Sequence, residues 1–419
     1  MYPGLKVKRW LVLLVMSAGI GLIGLTRLLG DFMHGYRLQV IPDKYIDQTR
    51  EYLTGLRFID FVAIGIGVMG VVVAFRMLVR TFGMAFLPDQ TEQTADRTYR
   101  RLSLRQGPRV VAIGGGTGMP AVLEGLKEYT TNLTAVVTTA DDGGSSGRLR
   151  QAFKIPPPGD IRNCLVALAD AGPIMNELFQ YRFQKDPALR GHSFGNLFIT
   201  AMSELTGDFE KAIRESSRVL AIRGQVVPVT LDHVALGAEL TDKTTVAGES
   251  EISRSLVRIE RVFLNPSDVR ANPEALEAIR EAEVIVMGPG SLYTSIIPNL
   301  LVPGIAQAIA ANRGIKILVC NIMTQPGETS GYTVTDHLRA LANHCDKRLF
   351  EYIVVNAEPL SPTWLERYAK EGAEPVRLDE TALRSRDYSI VKAKLIASEE
   401  FVRHDPTRLG RCIMKILSL

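Results

Sequence analysis

The residues best suited to chemistry lie in short polar clusters, each directly after an apolar run. Gly114-Gly115-Gly116-Thr117-Gly118 follows Arg109–Ile113. Glycines there let backbone N–H groups approach a phosphate, and Thr117 adds a hydroxyl. Asp141 and Asp142 follow the run Thr134–Thr138. Two carboxylates at a strand tip could hold a ribose hydroxyl, a Mg²⁺ ion, or an acceptor hydroxyl awaiting deprotonation; the plainer alternative is a turn that caps the next helix. Pro156–Gly159 closes one element and Asp160 is expected to N-cap the next helix, with Arg162 and Asn163 in its first turn, facing the strand tips. Gly191-His192-Ser193-Phe194-Gly195-Asn196 feeds a further helix. Its histidine beside a hydroxyl lacks a third partner for a nucleophilic triad, so a phosphate- or sugar-binding loop is expected. Gly288-Pro289-Gly290-Ser291-Leu292-Tyr293-Thr294 closes Val284–Met287, and Asn321–Thr329 closes Ile315–Cys320.

Such loops cooperate only if rigid elements bring them together. The preceding runs are short and mostly apolar, the pattern of buried parallel strands. Strand, glycine turn and a helix with Val122, Leu123 and Leu126 on one face make a Rossmann-like opening. The expected fold is α/β, with a mostly parallel sheet and helices on both faces. In open sheets of this kind ligands sit at the carboxyl edge of the strands, so several polar glycine loops on one edge imply a ligand site. From about 226 to 264 short alternating runs predict a small antiparallel insertion, beginning with Pro228–Leu231.

The first 87 residues differ. Trp10–Leu29 and Phe58–Leu78 are apolar runs of the roughly 20 residues needed to cross a bilayer as a helix, and Arg27, Asp60 and Arg76 fall near their ends. Gly19, Gly21, Gly24, Gly65, Gly67 and Gly70 suit close helix packing within a membrane. The expectation is a two-span hairpin over 1–87, a polar linker over 88–107, and a cytoplasmic domain over 108–419. A net charge of +4 on 419 residues is too small to argue for nucleic acid; Arg97, Arg100, Arg101 and Arg105 read as a basic stretch beside anionic lipid. Cys164, Cys320, Cys345 and Cys412 form no CxxC pair, so neither metal ligation by spacing nor a disulfide framework is expected, only buried thiols.

In order along the chain, GGGTGMPAVLEGLK, TADDGGSSGRLR, IPPPGDIRNCLVALAD, GHSFGNLF, GPGSLYTSIIPNLLVPGI and CNIMTQPGET resemble the CofD-like superfamily, and within it the YvcK-like gluconeogenesis-factor family. The resemblance runs from about Arg109 to Leu419. It implies a membrane-anchored subtype, because the first hundred residues lie outside the usual soluble form. It also implies that the Gly114–Gly118 and Gly288–Thr294 loops contact a nucleotide diphosphate, with Asn196 near the same ligand. The implied ligand is a UDP-sugar, typically UDP-N-acetylglucosamine, and the implied role is regulation of cell shape and peptidoglycan synthesis during gluconeogenic growth. Tyr368 in ERYAKEG and Arg403 in FVRHD match positions the family places around the nucleotide-sugar. No cofactor is required on this reading. The sister branch, 2-phospho-L-lactate transferase, moves a phospholactyl group from an activated guanosine dinucleotide onto a deazaflavin. There an aspartate of the DDGG motif binds metal and acceptor, so with Asp141 and Asp142 present a Mg²⁺-dependent phosphotransferase is the alternative. A dinucleotide-dependent oxidoreductase rests on the opening turn alone. The family further implies cytoplasmic protein partners and is compatible with a homo-oligomer.

Overall fold

The computed structural model describes residues 12–26, 61–77, 104–170, 172–255, 257–345, 349–384, 388–397 and 401–418. The chain divides into two compact units, Met1–Arg100 and Arg101–Leu419.

In the first unit, α1 (Val12–Thr26) and α2 (Phe61–Met77) are apolar helices. Among the described residues no single helix is long and apolar enough to cross a membrane, so the spans expected near 10–29 and 58–78 are represented by shorter helices. The residues flanking them, and most of the expected linker, lie outside the described residues. Small residues set how closely the pair packs: a Cβ on Gly67 would lie 2.6 Å from the Gly21 Cα, and one on Gly70 would overlap the Ser17 side chain. Val15, Met16, Leu22, Phe61, Met69 and Phe75 remain exposed.

The second unit is built on a seven-stranded sheet of β1 (Val110–Gly114), β2 (Leu133–Val137), β3 (Gln225–Pro228), β7 (Val284–Met287), β8 (Ile315–Val319), β9 (Tyr352–Asn356) and β10 (Ser389–Ala393). Its order is β10-β9-β8-β7-β1-β2-β3, and every pairing is parallel. Alternate residues of one strand feed two separate cores. Val111 and Ile113 join one apolar cluster, while Val110 and Ala112 join the other. The latter face is covered by α3 (Met119–Leu126), α5 (Pro158–Leu168), α7 (Phe194–Thr206), α8 (Phe209–Val219) and α16 (Pro406–Leu417). The opposite face carries α10 (Pro273–Glu281), α12 (Ile305–Ala311) and α13 (Val334–His344). This two-sided burial explains the apolar runs of the central strands: neither side of β1, β2 or β7 meets water, whereas the edge strand β10 is partly exposed.

The small antiparallel sheet is present as β4 (Ala235–Leu240), β5 (Thr245–Ala247) and β6 (Ile259–Asn265), in the order β5-β4-β6. It starts later than the alternation implied. Gln225–Pro228 pairs parallel with β2, Val226 opposite Ala135, and so belongs to the main sheet. Its two valines are buried without alternation, a feature of the main sheet rather than of the insertion. A short helix, α9 (Glu249–Arg254), lies between β5 and β6.

Candidate functional site

The strand order reverses direction between β1 and β7, so the loops leaving these neighbouring strands diverge and open a crevice at the carboxyl edge. The β1 loop is the Gly114–Gly118 turn. It enters α3 with Gly118 at the N-cap and no side chain capping the first turn; Pro120 has no N–H and the Ala121 N–H donates to the Gly118 carbonyl at 3.2 Å, which leaves the Met119 N–H and the positive end of the helix for an anion. The two loops touch. A Cβ on Gly118 would overlap the Pro289 carbonyl oxygen and lie 3.1 Å from the Gly290 nitrogen, which restricts this position to glycine.

The β7 loop is held from the next strand tip. Asn321 Oδ1 accepts the Gly290 N–H at 3.0 Å, while its Nδ2 donates to the Gly290 carbonyl at 2.8 Å. Ser291 Oγ donates to Gln325 Oε1 at 2.7 Å. Beyond Ser291 the chain winds into a single π-type turn, Leu292–Ile296, whose side chains are all buried.

A cavity of about 610 Å³ lies over these loops, within the range of small-molecule sites. Thr117, Gly118, Gly290, Ser291 and Asn321 line it, and so do Tyr368 and Arg403 from the distant C-terminal segment. Tyr368, on α14 (Pro362–Lys370), accepts the Val402 N–H on its hydroxyl at 3.0 Å; the Arg403 guanidinium lies 5.5 Å from the centroid of the Phe401 ring. A larger cavity, about 710 Å³, lies at the opposite, amino-terminal edge of β1, β2 and β3. Its rim carries exposed ion pairs such as Arg109–Glu281 and Arg214–Glu274, and neither the Gly114–Gly118 turn nor the Gly288–Thr294 loop lines it. The smaller cavity, where the strand-tip loops meet, is therefore the candidate site.

The remaining expected residues gather on the other side of the Gly114–Gly118 turn. Asn163 Nδ2 donates to the Gly116 carbonyl at 3.5 Å, and its Oδ1 accepts from the Arg162 guanidinium at 2.7 Å. Arg162 also donates to Ser193 Oγ at 2.5 Å, and burial with Arg182 nearby pulls its pKa down to about 10. Ser193 caps α7 by accepting the Asn196 N–H. The Asn196 amide donates to Ser145 Oγ at 3.1 Å, and that hydroxyl also bonds His192 Nδ1 at 3.0 Å. Asp141 accepts the Gly143 N–H at 2.8 Å and Asp142 accepts the Ser250 N–H at 2.9 Å, so both carboxylates hold turns. Asp160 is not the N-cap: the helix begins at Pro158 after Pro157, which puts Asp160 in the first turn, where its carboxylate accepts the Gly116 N–H. Burial and the neighbouring Asp141 push it up to about 7.

Two expected ligand residues face inward instead. Tyr293 is buried with its hydroxyl 2.9 Å from that of Tyr332, and Thr294 donates to Glu328 at 3.1 Å. The glycines at 114 and 288 are structural at the strand ends: Gly114 accepts from Thr138 N–H, and the Gly288 N–H donates to the Ile113 carbonyl. Among the described residues no group of three or more His, Cys, Asp or Glu is arranged to hold a metal ion.

The family model for 2-phospho-L-lactate transferase CofD matches residues 110–396, from the first strand of the sheet to just beyond the last. The chain belongs to the CofD family. Among its CofD-family relatives, a protein of Nostoc sp. named "Putative gluconeogenesis factor" is 44% identical over 431 residues, covering 99% of this chain and 91% of its own. The "Gluconeogenesis factor" of Halalkalibacterium halodurans is 48% identical over 307 residues, covering 73% of this chain and 95% of its own. A solved structure from Bacillus halodurans, a member of the UPF0052 family, superposes with a TM-score of 0.72 at 48% identity, covering 74% of this chain and 99% of that one.

Several residues at or near the candidate site escaped the sequence reading. His404 lines the cavity beside Arg403; it bonds the Cys320 carbonyl, and burial pushes it down to about 4, so it stays neutral. Glu249 arrives from the insertion and meets Asp141, and burial with that neighbour pushes it up to about 9. Glu328 sits under the β7 loop. The only available signal was membership of a quoted motif for Glu328 and adjacency to Arg403 for His404; for Glu249 there was none.

Proposed function

We propose that this CofD-family protein is a gluconeogenesis factor that binds a UDP-sugar, with UDP-N-acetylglucosamine as the first candidate, and regulates cell shape and peptidoglycan synthesis during gluconeogenic growth. The observation that carries the reading is the single cavity in which the N-terminus of α3, Ser291 and Asn321 meet Tyr368 and Arg403. The residues suit the chemistry. The uncapped first turn of α3 takes a diphosphate, Arg403 adds charge, and Tyr368 offers an aromatic face to a base or sugar. Calorimetric titration of the full chain in detergent with UDP-N-acetylglucosamine, GDP and NAD tests it. Selective binding of the UDP-sugar, lost in Tyr368→Ala and Arg403→Ala, supports the reading; preference for GDP or NAD overturns it.

The second reading, a phosphotransferase, is favoured by one feature: Asp160 and Glu249, both with raised pKa, stand with Asp141 on the far side of the glycine turn, where a proton could be exchanged with an acceptor hydroxyl. Turnover of a nucleotide-linked donor that disappears in Asp141→Asn would establish it. We further propose that α1 and α2 tether the protein to the cell membrane, with the larger unit in the cytoplasm. Support comes from their exposed apolar faces and small-residue contact. Release of the full chain into the soluble fraction by alkaline carbonate would end that reading.

A further inference from the structure

One buried carboxylate outside the cavity is wired to its phosphate-facing loop. Glu328 is 2% exposed. Its Oε2 accepts the Tyr293 N–H at 3.2 Å, and its Oε1 accepts from Thr294 Oγ1 at 3.1 Å, Gln325 Nε2 at 3.0 Å and Ser253 Oγ at 3.2 Å. The consequence lies in the Gln325 amide. With its Nε2 held by the carboxylate, its Oε1 must face Ser291, and there it takes the Ser291 hydroxyl proton at 2.7 Å. Rotating the amide by half a turn would set its oxygen against the Glu328 carboxylate and its NH₂ against a hydroxyl that now donates. The Ser291 side chain, on the cavity wall, therefore has its orientation fixed two bonds away from Glu328.

The same carboxylate also reaches the far side of the turn. Ser253 belongs to α9, whose first residues meet the carboxylate pair: the Ser250 N–H donates to Asp142. Close approach of the Glu328 turn to α9 is possible because residue 327 is glycine. A Cβ there would sit 2.5 Å from the Ser253 carbonyl oxygen, at a φ of +83° that other residues avoid.

We infer that Glu328 is a positioning residue of the ligand site: it fixes Gln325 and Ser291, and through them the β7 loop that faces the α3 N-terminus. This rests on the cavity being the ligand site. Glutamine is nearly isosteric but replaces one acceptor oxygen by an NH₂ that must confront a donor, the Tyr293 N–H or the Thr294 hydroxyl.

The test uses the full chain in detergent, with UDP-N-acetylglucosamine as probe. Glu328→Gln is expected to weaken binding at least tenfold at a temperature where it is fully folded. Tyr332→Phe, which removes the partner of the Tyr293 hydroxyl in the core beneath the same loop, is expected to lower the melting temperature without changing affinity. Adding Gln325→Ala to Glu328→Gln should cost nothing further, because both cut one path. Unchanged affinity in Glu328→Gln, or additive losses in the double variant, overturns the inference. Hydrogen exchange without ligand separates this from the ligand reading. Tyr293 and Ser295 amides should exchange at least tenfold faster in Glu328→Gln than in Tyr332→Phe; equal rates sink the positioning role even if the wild type binds no UDP-sugar.

Discussion

Gly118→Ala tests whether the contact between the two strand-tip loops makes the site. The added Cβ would overlap the Pro289 carbonyl oxygen, and it would lie 2.7 Å from the Pro289 carbonyl carbon and 3.1 Å from the Gly290 nitrogen. Neither wall yields easily. The β7 loop is pinned by the paired bonds from Asn321, and Gly118 is the N-cap of α3, which packs on α16 through Gly125 and Gly410. The loops must part by roughly 1 Å, and overpacking of this kind costs about 1–3 kcal/mol. At about 2–4 °C per kcal/mol for a domain of 150–250 residues, somewhat less for this larger unit, the melting temperature should fall by several degrees. A diphosphate spanning the loops would lose one charge-assisted hydrogen bond of about 1.5–3 kcal/mol, or roughly 10- to 100-fold in affinity. Gly314→Ala is the control. Its Cβ would meet the Glu283 and Ala282 carbonyl oxygens at the amino-terminal edge, far from the cavity, so it should melt lower and bind normally. Thermal melts and calorimetry on the pair decide the matter. Wild-type affinity in Gly118→Ala, or equal losses of affinity in both, would refute the reasoning.

Tyr293→Phe should cost about 1 kcal/mol of stability by removing the hydrogen bond to the Tyr332 hydroxyl, which keeps Arg258 as a partner, and leave ligand affinity intact; a tenfold loss of affinity by calorimetry would return Tyr293 to the ligand wall. Asp160 and Glu249, raised to about 7 and about 9, keep protons that the unfolded chain releases near pH 4. The native state then binds more protons, so stability falls as pH rises from about 4 through those values. Asp160→Asn and Glu249→Gln should accordingly melt higher than wild type at pH 8, with the gain vanishing near pH 4; a gain independent of pH across a series of melts would contradict the shifts. Cys164 and Cys320, buried and with thiol pKa raised by that burial, should resist alkylation in the native protein until it unfolds, and rapid labelling by mass spectrometry would show otherwise.

Much of this site was legible because strand tips announce themselves. Val110–Ile113, Val284–Met287 and Ile317–Cys320 are apolar without alternation, and each gives way at once to glycine or asparagine. Parallel strands must place those loops on one edge, so Thr117, Ser291 and Asn321 come together as expected. Side-chain direction within a loop was not legible. The resemblance implied that the whole Gly288–Thr294 loop, with Ser291, Tyr293 and Thr294, contacts the ligand. The π-type turn at Leu292–Ile296 instead sends Tyr293 and Thr294 into the core, and only the tertiary partners Tyr332 and Glu328 reveal it. Nor could the order of loops on the edge be read. Only the strand order shows that Asp141, Arg162 and Asn196 fall on one side of the glycine turn while Tyr368 and Arg403 fall on the other.

That partition sets a cavity and a carboxylate cluster on the two sides of one glycine turn. The Gly114–Gly118 turn is shared by the two sides: Gly118 closes against Pro289 toward the cavity, while Gly116 is bonded by Asp160 and Asn163 toward the carboxylates. A diphosphate seated at the α3 N-terminus would sit in the cavity, yet its charge would act across the turn on Asp160 and Glu249, whose pKa values already stand high. Added negative charge raises them further, so ligand binding should take up protons at neutral pH, where Asp160 is partly ionised. Calorimetry in buffers of different ionisation enthalpy measures that uptake directly. Uptake in the wild type that is lost in Asp160→Asn would show that the two sides communicate through the turn. Binding with no proton uptake would mean that the carboxylates do not sense the ligand and that their proton chemistry serves something else.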